Sequence, residues 1–173
     1  MIILMVEEIN GLPAHVLLVH AVVIVIPLAA LLTVLSALWP AARRRLDIMT
    51  PIVALIALIL VPVTQNAGSW LQSRLRKAPL IAAHAELGDT MLWFVIGLFV
   101  AALLAWGVPT LLTRNSRQAP PPWVGVVVAV VAVALAGASV VQVFRVGESG
   151  SKAVWTGSFC PEPVNADGSC PAA

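Results

Sequence analysis

The sequence is poor in charge: only 10% of its residues are Asp, Glu, Lys or Arg, whereas soluble domains have about 25%. At a net charge of +2 its basic residues are also too scattered to form the clustered basic face that nucleic acid binding requires. We therefore expect neither a soluble globular domain nor a nucleic acid partner.

Several functional motifs are missing from the sequence as well. It has no phosphate-binding loop, no nucleophile elbow and no zinc-protease motif, and it shows no evident internal repeats of the kind common in transporters. The N-terminus carries Glu7 and Glu8 where a cleavable signal peptide has a basic region, so we expect the first helix to stay attached. We do not expect an enzyme or a transporter.

Apolar sequence is abundant and falls into four long runs. They cover residues 16–39, 48–63, 91–112 and 123–144. A helix of about 20 apolar residues crosses the ~30 Å hydrocarbon layer of a membrane. Because lipid requires each backbone amide to be paired internally, open sheets are excluded. The sequence predicts an all-α integral membrane bundle of four transmembrane helices, with the lipid bilayer as its partner.

Prolines and polar residues at the ends of the runs set the predicted boundaries. A transmembrane domain over 1–146 is followed by an irregular tail over 147–173. An amphipathic stretch at about 68–77 predicts a short helix in the membrane interface. The four transmembrane helices are predicted at about 13–39, 48–64, 80–112 and 122–145.

The only two cysteines lie in the tail, where Cys160 and Cys170 flank a segment rich in proline and glycine. A disulfide there would persist only in an oxidising compartment. A metal pair is the alternative, although two thiols without a nearby histidine make an incomplete zinc set.

Lys and Arg are equal in number on the two sides of the membrane, but they are denser in the two short loops that follow the first and third transmembrane helices. We therefore expect a multi-pass protein with both termini outside the cytoplasm.

With this topology the polar side chains of the four helices collect at one end of the bundle. Ionisable residues in membrane helices are costly and usually face the bundle interior or water, so this layer is the candidate functional site. Its members are His15 and His20 from the first helix, Thr64, Gln65 and Asn66 from the second, His84, Glu86 and Asp89 from the third, and Gln142, Arg145 and Glu148 from the fourth.

Three arrangements of the polar layer stay open. In the first, His20 hydrogen-bonds Glu86, and the pair only fixes the register of two helices. In the second, His20 and His84 ligate one haem b with Arg145 near its propionates, since imidazole suits iron and bundles build cofactor sites from facing helices. In the third, His20, His84 and Glu86 hold a divalent metal ion. The cofactor is therefore unknown, with haem b as one candidate.

Three stretches of the sequence are familiar. Residues 11–20, Gly-Leu-Pro-Ala-His-Val-Leu-Leu-Val-His, are similar to a Gly-x-Pro-x-His-Pro-x-x-Val-His opening, and 84–89 and 147–155 provide further matches. Together they resemble the actinobacterial branch of a family of small bacterial membrane proteins called domain of unknown function 2231. The chain departs from that pattern at Val16, which replaces a proline, and at Glu148, where histidine is expected in relatives.

The resemblance implies a protein of the bacterial cytoplasmic membrane close to membrane electron transfer, because related domains are found attached to cytochrome c or Rieske-type segments. We expect a non-catalytic accessory subunit of a membrane complex of the respiratory type, partnered by other membrane protein subunits. One alternative is a small haem-binding electron-transfer protein that uses His20 and His84. A second alternative is a metal-binding or proton-relay membrane protein.

Overall fold

The computed structural model describes residues 7–115, 121–157, 160 and 170. A short hairpin is followed by helices that make up nearly all of the described chain, so the predicted all-α class is confirmed. The strands are β1 (Glu8–Ile9) and β2 (Leu12–Pro13). The helices are α1 (Ala14–Leu38), α2 (Pro40–Leu46), α3 (Met49–Gln72), α4 (Pro79–Asp89), α5 (Met91–Asn115) and α6 (Pro122–Trp155).

Four helical segments are long and apolar enough to cross a membrane. Large apolar side chains such as Ile24 and Phe144 lie on the outside of the bundle, where they are 67% and 72% exposed. Such a surface suits lipid and not water. The chain is therefore a multi-pass membrane protein of the helical kind. The spans are Ala14–Leu38, Met49–Gln72, Pro79–Leu111 and Pro122–Trp155.

The four spans pack as a bundle around a core of small side chains. Helix α1 packs against α3 and α6, and α5 packs against the same two helices. Alanines such as Ala29, Ala57 and Ala102 are fully buried, with Ile26 and Leu98 as the largest apolar side chains among them. Small residues let membrane helices approach closely, where van der Waals contact replaces the hydrophobic effect as the stabilising force.

A two-residue turn precedes the first span. Asn10 and Gly11 both have positive φ, 52° and 76°, which is the pattern of the tight turns that join antiparallel strands. The backbone amide of Ala14 donates to the carbonyl of Glu7 at 3.0 Å, so the hairpin leads directly into α1. Pro13, predicted as the first helical residue, is instead the residue before the helix.

The predicted interfacial helix at 68–77 is wrong. Helix α3 continues to Gln72, and residues 73–78 form a turn and an irregular connection. Between Val63 and Gln72 no proline interrupts the chain, so every backbone amide can continue the hydrogen-bonding ladder of the helix. The polar side chains of this stretch therefore lie on the last turns of a transmembrane helix.

Three further features differ from the prediction. The third span is divided at Thr90 into α4 and α5, and the loop predicted after the first span contains the short helix α2. Helix α6 continues through residues that were predicted to begin the irregular tail, and its 34 residues span about 51 Å. Lys152 and Glu148 form an ion pair of 2.7 Å one turn apart, which supports this extension.

Cys160 and Cys170 form a disulfide bond with their Cα atoms 5.4 Å apart, so the predicted bond is confirmed. The bond closes a ring within the tail. The other tail residues, 158–159, 161–169 and 171–173, lie outside the described residues.

Candidate functional site

Two histidines from different spans meet at one end of the bundle. His15 lies in the first turn of α1 and His84 lies in α4. Their ring centroids are 6.3 Å apart and the ring planes are inclined by 72°. Both side chains are half-buried. Because successive spans run in opposite directions, the start of α1, the end of α3, helix α4 and the end of α6 lie at the same end.

His15 is held against α3. Its Nδ1 atom lies 3.0 Å from the backbone carbonyl oxygen of Thr64. A carbonyl only accepts hydrogen bonds, so Nδ1 is the protonated nitrogen and donates. Gly68 leaves room for the ring, since a Cβ atom there would lie 2.9 Å from both Cε1 and Nδ1 of His15. The ring is therefore fixed in position and in tautomer.

His84 is held against α6 in the same way. Its Nδ1 atom lies 2.9 Å from Oγ of Ser149, and the Ser149 hydroxyl donates to the carbonyl of Val146 at 2.8 Å. The serine oxygen therefore accepts the Nδ1 proton of His84. A Cβ atom at Gly150 would lie 3.0 Å from Cε1 of His84, so a glycine again leaves room for the ring.

The two hydrogen bonds leave both Nε2 atoms as the reactive positions of the pair. In a neutral imidazole protonated at Nδ1, Nε2 carries a lone pair. Among residues 7–115, 121–157, 160 and 170, neither Nε2 atom has a hydrogen-bond partner. The arrangement can therefore accept a proton or bind a cation.

His20, which belongs to all three predicted arrangements of the polar layer, is not part of this histidine pair. Its side chain is exposed, and Nδ1 donates to the carbonyl of Val16 in the same helix at 2.6 Å. The predicted hydrogen bond between His20 and Glu86 is wrong, since Glu86 is also exposed and the described contacts do not join the two. Five residues rotate a helix by about 140°, and the face of α1 that packs inward carries His15.

The described contacts do not assemble the two predicted ligand sets. They bring His84 to His15 and not to His20, and Arg145 is exposed, so haem ligation by His20 and His84 stays a prediction that the geometry does not support. The described residues, which include His20, His84 and Glu86, hold no group of three or more His, Cys, Asp or Glu side chains that could bind a metal ion.

The remaining members of the polar layer have structural or surface positions. Gln65 donates to the carbonyls of Gly88 and Asp89 at 2.9 and 3.3 Å. Glu148 pairs with Lys152, as described above. The side chains of Asn66 and Asp89 are exposed. Of the predicted cluster, His15, His84, Gln65 and Gln142 make hydrogen bonds to another helix through their side chains, and Thr64 and Asp89 do so through their backbone carbonyls.

Sequence reasoning missed the residues that position the histidines. Ser149 and Gly150 fell in the predicted tail, because two glycines in four residues argue against a helix. Gly68 acts only by leaving room for the His15 ring, so no local pattern marks it. Thr64 belongs to the predicted polar layer, but its backbone carbonyl and not its side chain holds His15. The one sequence feature that pointed to the pair is the position of His15 close to the start of a transmembrane run.

Comparison of the chain with models of known protein families, with curated proteins and with solved structures found no match. The resemblance to domain of unknown function 2231 therefore stays an interpretation of residues 11–20, 84–89 and 147–155.

Proposed function

We propose that the protein is a non-catalytic accessory subunit of a membrane complex of the respiratory type. The observation that carries this proposal is that polar side chains in the core form hydrogen bonds within the bundle. Apart from the indole Nε1 of Trp70, which is buried and has no hydrogen-bond partner among the described residues, the buried polar side chains are hydrogen-bonded within or between helices, so these groups stabilise the bundle. They are Thr33, Ser36, Thr50, Thr64, Ser139 and Gln142.

The hydrogen bonds between helices show how this core is specified. The hydroxyl groups of Ser36 in α1 and Thr50 in α3 are 2.8 Å apart. Ser139 of α6 lies 3.1 Å from the carbonyl of Phe94 in α5. Bonds of this kind fix the register of membrane helices whose packing is otherwise between alanines. A closely packed interior whose polar groups join the helices supports a structural role.

The location and orientation are part of the same proposal. The disulfide between Cys160 and Cys170 supports an extracytoplasmic C-terminus, since such bonds persist in oxidising compartments. Four spans return the chain to the side on which it began, so the N-terminus would lie there too. The resemblance stated for residues 11–20 supports the bacterial cytoplasmic membrane and a place near electron transfer.

Native electrophoresis tests the accessory role. The tagged chain, expressed at its natural level, is extracted from membranes in a gentle detergent and separated without denaturation. We expect it in an assembly much larger than the 18.2 kDa chain, at fixed stoichiometry with other membrane subunits and with the absorption spectrum of a respiratory complex. Migration as a lone chain in several gentle detergents would contradict the proposal.

Deletion of the chain gives an independent test. An accessory subunit affects how much complex assembles and leaves the turnover of each assembled complex unchanged. We therefore expect a lower amount of the assembly and an unaltered rate per assembly. A complex of normal amount that has lost its activity would instead assign the chain a direct part in the reaction.

A further inference from the structure

We propose that His15 and His84 together bind one Cu(I) ion through their Nε2 atoms. The site lies at the end of the bundle where α1, α3, α4 and α6 meet, and both rings are half-buried there. This inference goes beyond the accessory role and does not depend on it.

The separation of the rings fits a shared ion. The two ring centroids are 6.3 Å apart. Since imidazole nitrogens bind metals at about 2 Å and each nitrogen lies about 1 Å from the centre of its ring, two imidazoles on opposite sides of one ion have centres about 6 Å apart. The separation of the two ring centres thus matches that of a two-coordinate ion, which both Nε2 atoms must turn toward to bind.

The surroundings of both rings match those of metal-binding histidines. Such a histidine almost always donates its other ring N–H to a carbonyl, carboxylate or water, which fixes the ring and raises the basicity of the ligating nitrogen. His15 donates to the Thr64 carbonyl and His84 to the Ser149 hydroxyl. Both Nε2 atoms therefore carry lone pairs, and binding of a cation to the neutral rings displaces no proton.

The charge of the ligand set selects the ion. The two imidazoles are neutral, and the described residues add no Asp, Glu or Cys side chain that would complete a set of three ligands. The cost of removing water from an ion grows steeply with its charge, so two neutral, half-buried imidazoles favour a singly charged ion over an uncompensated divalent one. Imidazole suits copper, whereas Mg²⁺, Ca²⁺ and Mn²⁺ prefer oxygen ligands. Cu(I) combines the single charge with the preference for nitrogen.

Competition with a chromophoric Cu(I) chelator tests the site. The purified full-length protein in detergent is titrated without oxygen and with ascorbate present. We expect one Cu(I) per chain in the unmodified protein and in His20→Ala, which removes an exposed imidazole outside the pair. His15→Ala and His84→Ala should each weaken binding by at least about tenfold, the lower limit seen when even a supporting residue of a metal site is lost.

Three further variants separate ligation from folding. Gly68→Ala and Gly150→Ala keep both imidazoles but place a Cβ atom about 3 Å from one ring, so they should weaken Cu(I) binding. Gly137→Ala is the matched control, since a Cβ atom there meets nothing within 4 Å, and it should bind Cu(I) normally. X-ray absorption of the loaded protein should show a two-coordinate Cu(I) with nitrogen ligands only.

The cysteines supply the most important control. Cu(I) binds thiolates more tightly than imidazoles, so a reduced Cys160–Cys170 pair would compete with the histidines for the ion. A variant with both cysteines replaced by serine should retain one Cu(I) per chain. Loss of binding in that variant, undiminished binding in the doubly substituted His15→Ala, His84→Ala protein, or binding of haem or Zn²⁺ in place of Cu(I) would overturn the assignment.

Discussion

Gln142 of α6 donates a hydrogen bond from Nε2 to Oγ1 of Thr90 at 2.7 Å, at the point where the third span changes from α4 to α5. Thr90 in turn donates to the carbonyl of Leu87 at 2.7 Å, and Gln65 of α3 approaches the carbonyls of Gly88 and Asp89 from the other side. A helix end leaves carbonyls unpaired, and in a membrane they must be satisfied by neighbours. Two glutamines therefore stabilise the interruption of this span.

Gln142→Leu should destabilise the bundle. The substitution keeps the side-chain volume but removes the donor to Thr90, and we expect a loss of about 1 kcal/mol, within the range measured for hydrogen bonds between membrane helices. Thermal unfolding in detergent measures the loss. Gln72→Leu is the control, because Gln72 is exposed at the end of α3. Equal shifts for the two variants would show that the junction does not depend on this bond.

Ser36 and Thr50 should be energetically coupled. Their hydroxyls are 2.8 Å apart in the core, and a double-mutant cycle of Ser36→Ala and Thr50→Val should give a coupling of about 0.6–1.7 kcal/mol. The control cycle pairs Ser36→Ala with Thr33→Val, because the Thr33 hydroxyl donates to Ala29 of its own helix. A coupling in the control as large as that of the Ser36–Thr50 cycle would remove the evidence for a specific bond.

Gly68→Ala should displace the His15 ring. A methyl group 2.9 Å from Cε1 and Nδ1 cannot be accommodated, so the hydrogen bond to the Thr64 carbonyl should break at a cost of about 1–3 kcal/mol. Nitrogen NMR of selectively labelled histidine detects loss of the fixed Nδ1–H tautomer. Gly137→Ala should instead leave the histidine signals unchanged and stabilise α6 by up to about 1 kcal/mol. Unchanged His15 signals in Gly68→Ala would contradict the described contact.

Fusions to a periplasmic reporter enzyme should establish the orientation. Alkaline phosphatase joined after Ala173 should be active, since the C-terminus is expected outside the cytoplasm, and the same enzyme joined after Asn115 should be inactive. Density of arginine in the short loops is the basis of this expectation. The opposite pattern of activity would invert the bundle and place the histidine pair on the cytoplasmic side.

Much of the fold was predictable because lipid imposes strong constraints on sequence. Apolar runs near 20 residues long become transmembrane helices, since the backbone has no other way to pair its amides in hydrocarbon. The two cysteines were also predictable as a pair, being the only ones in the chain. The ends of helices were less predictable: α6 continues past Gly147, where Ser149 hydrogen-bonds His84 and Gly150 leaves room for its ring, and no local pattern indicates either.

The sequence by itself determined that lipid surrounds the bundle, that the fold is helical, and at which end of the bundle the polar groups gather. Only the tertiary structure decided that His15, and not His20, faces His84. Helix α1 is apolar on all sides, so its composition does not indicate which face turns inward in lipid. That rotation is set by close packing of α1 against α3 and α6, where residues distant in sequence, such as Gly68, leave the room that a ring needs.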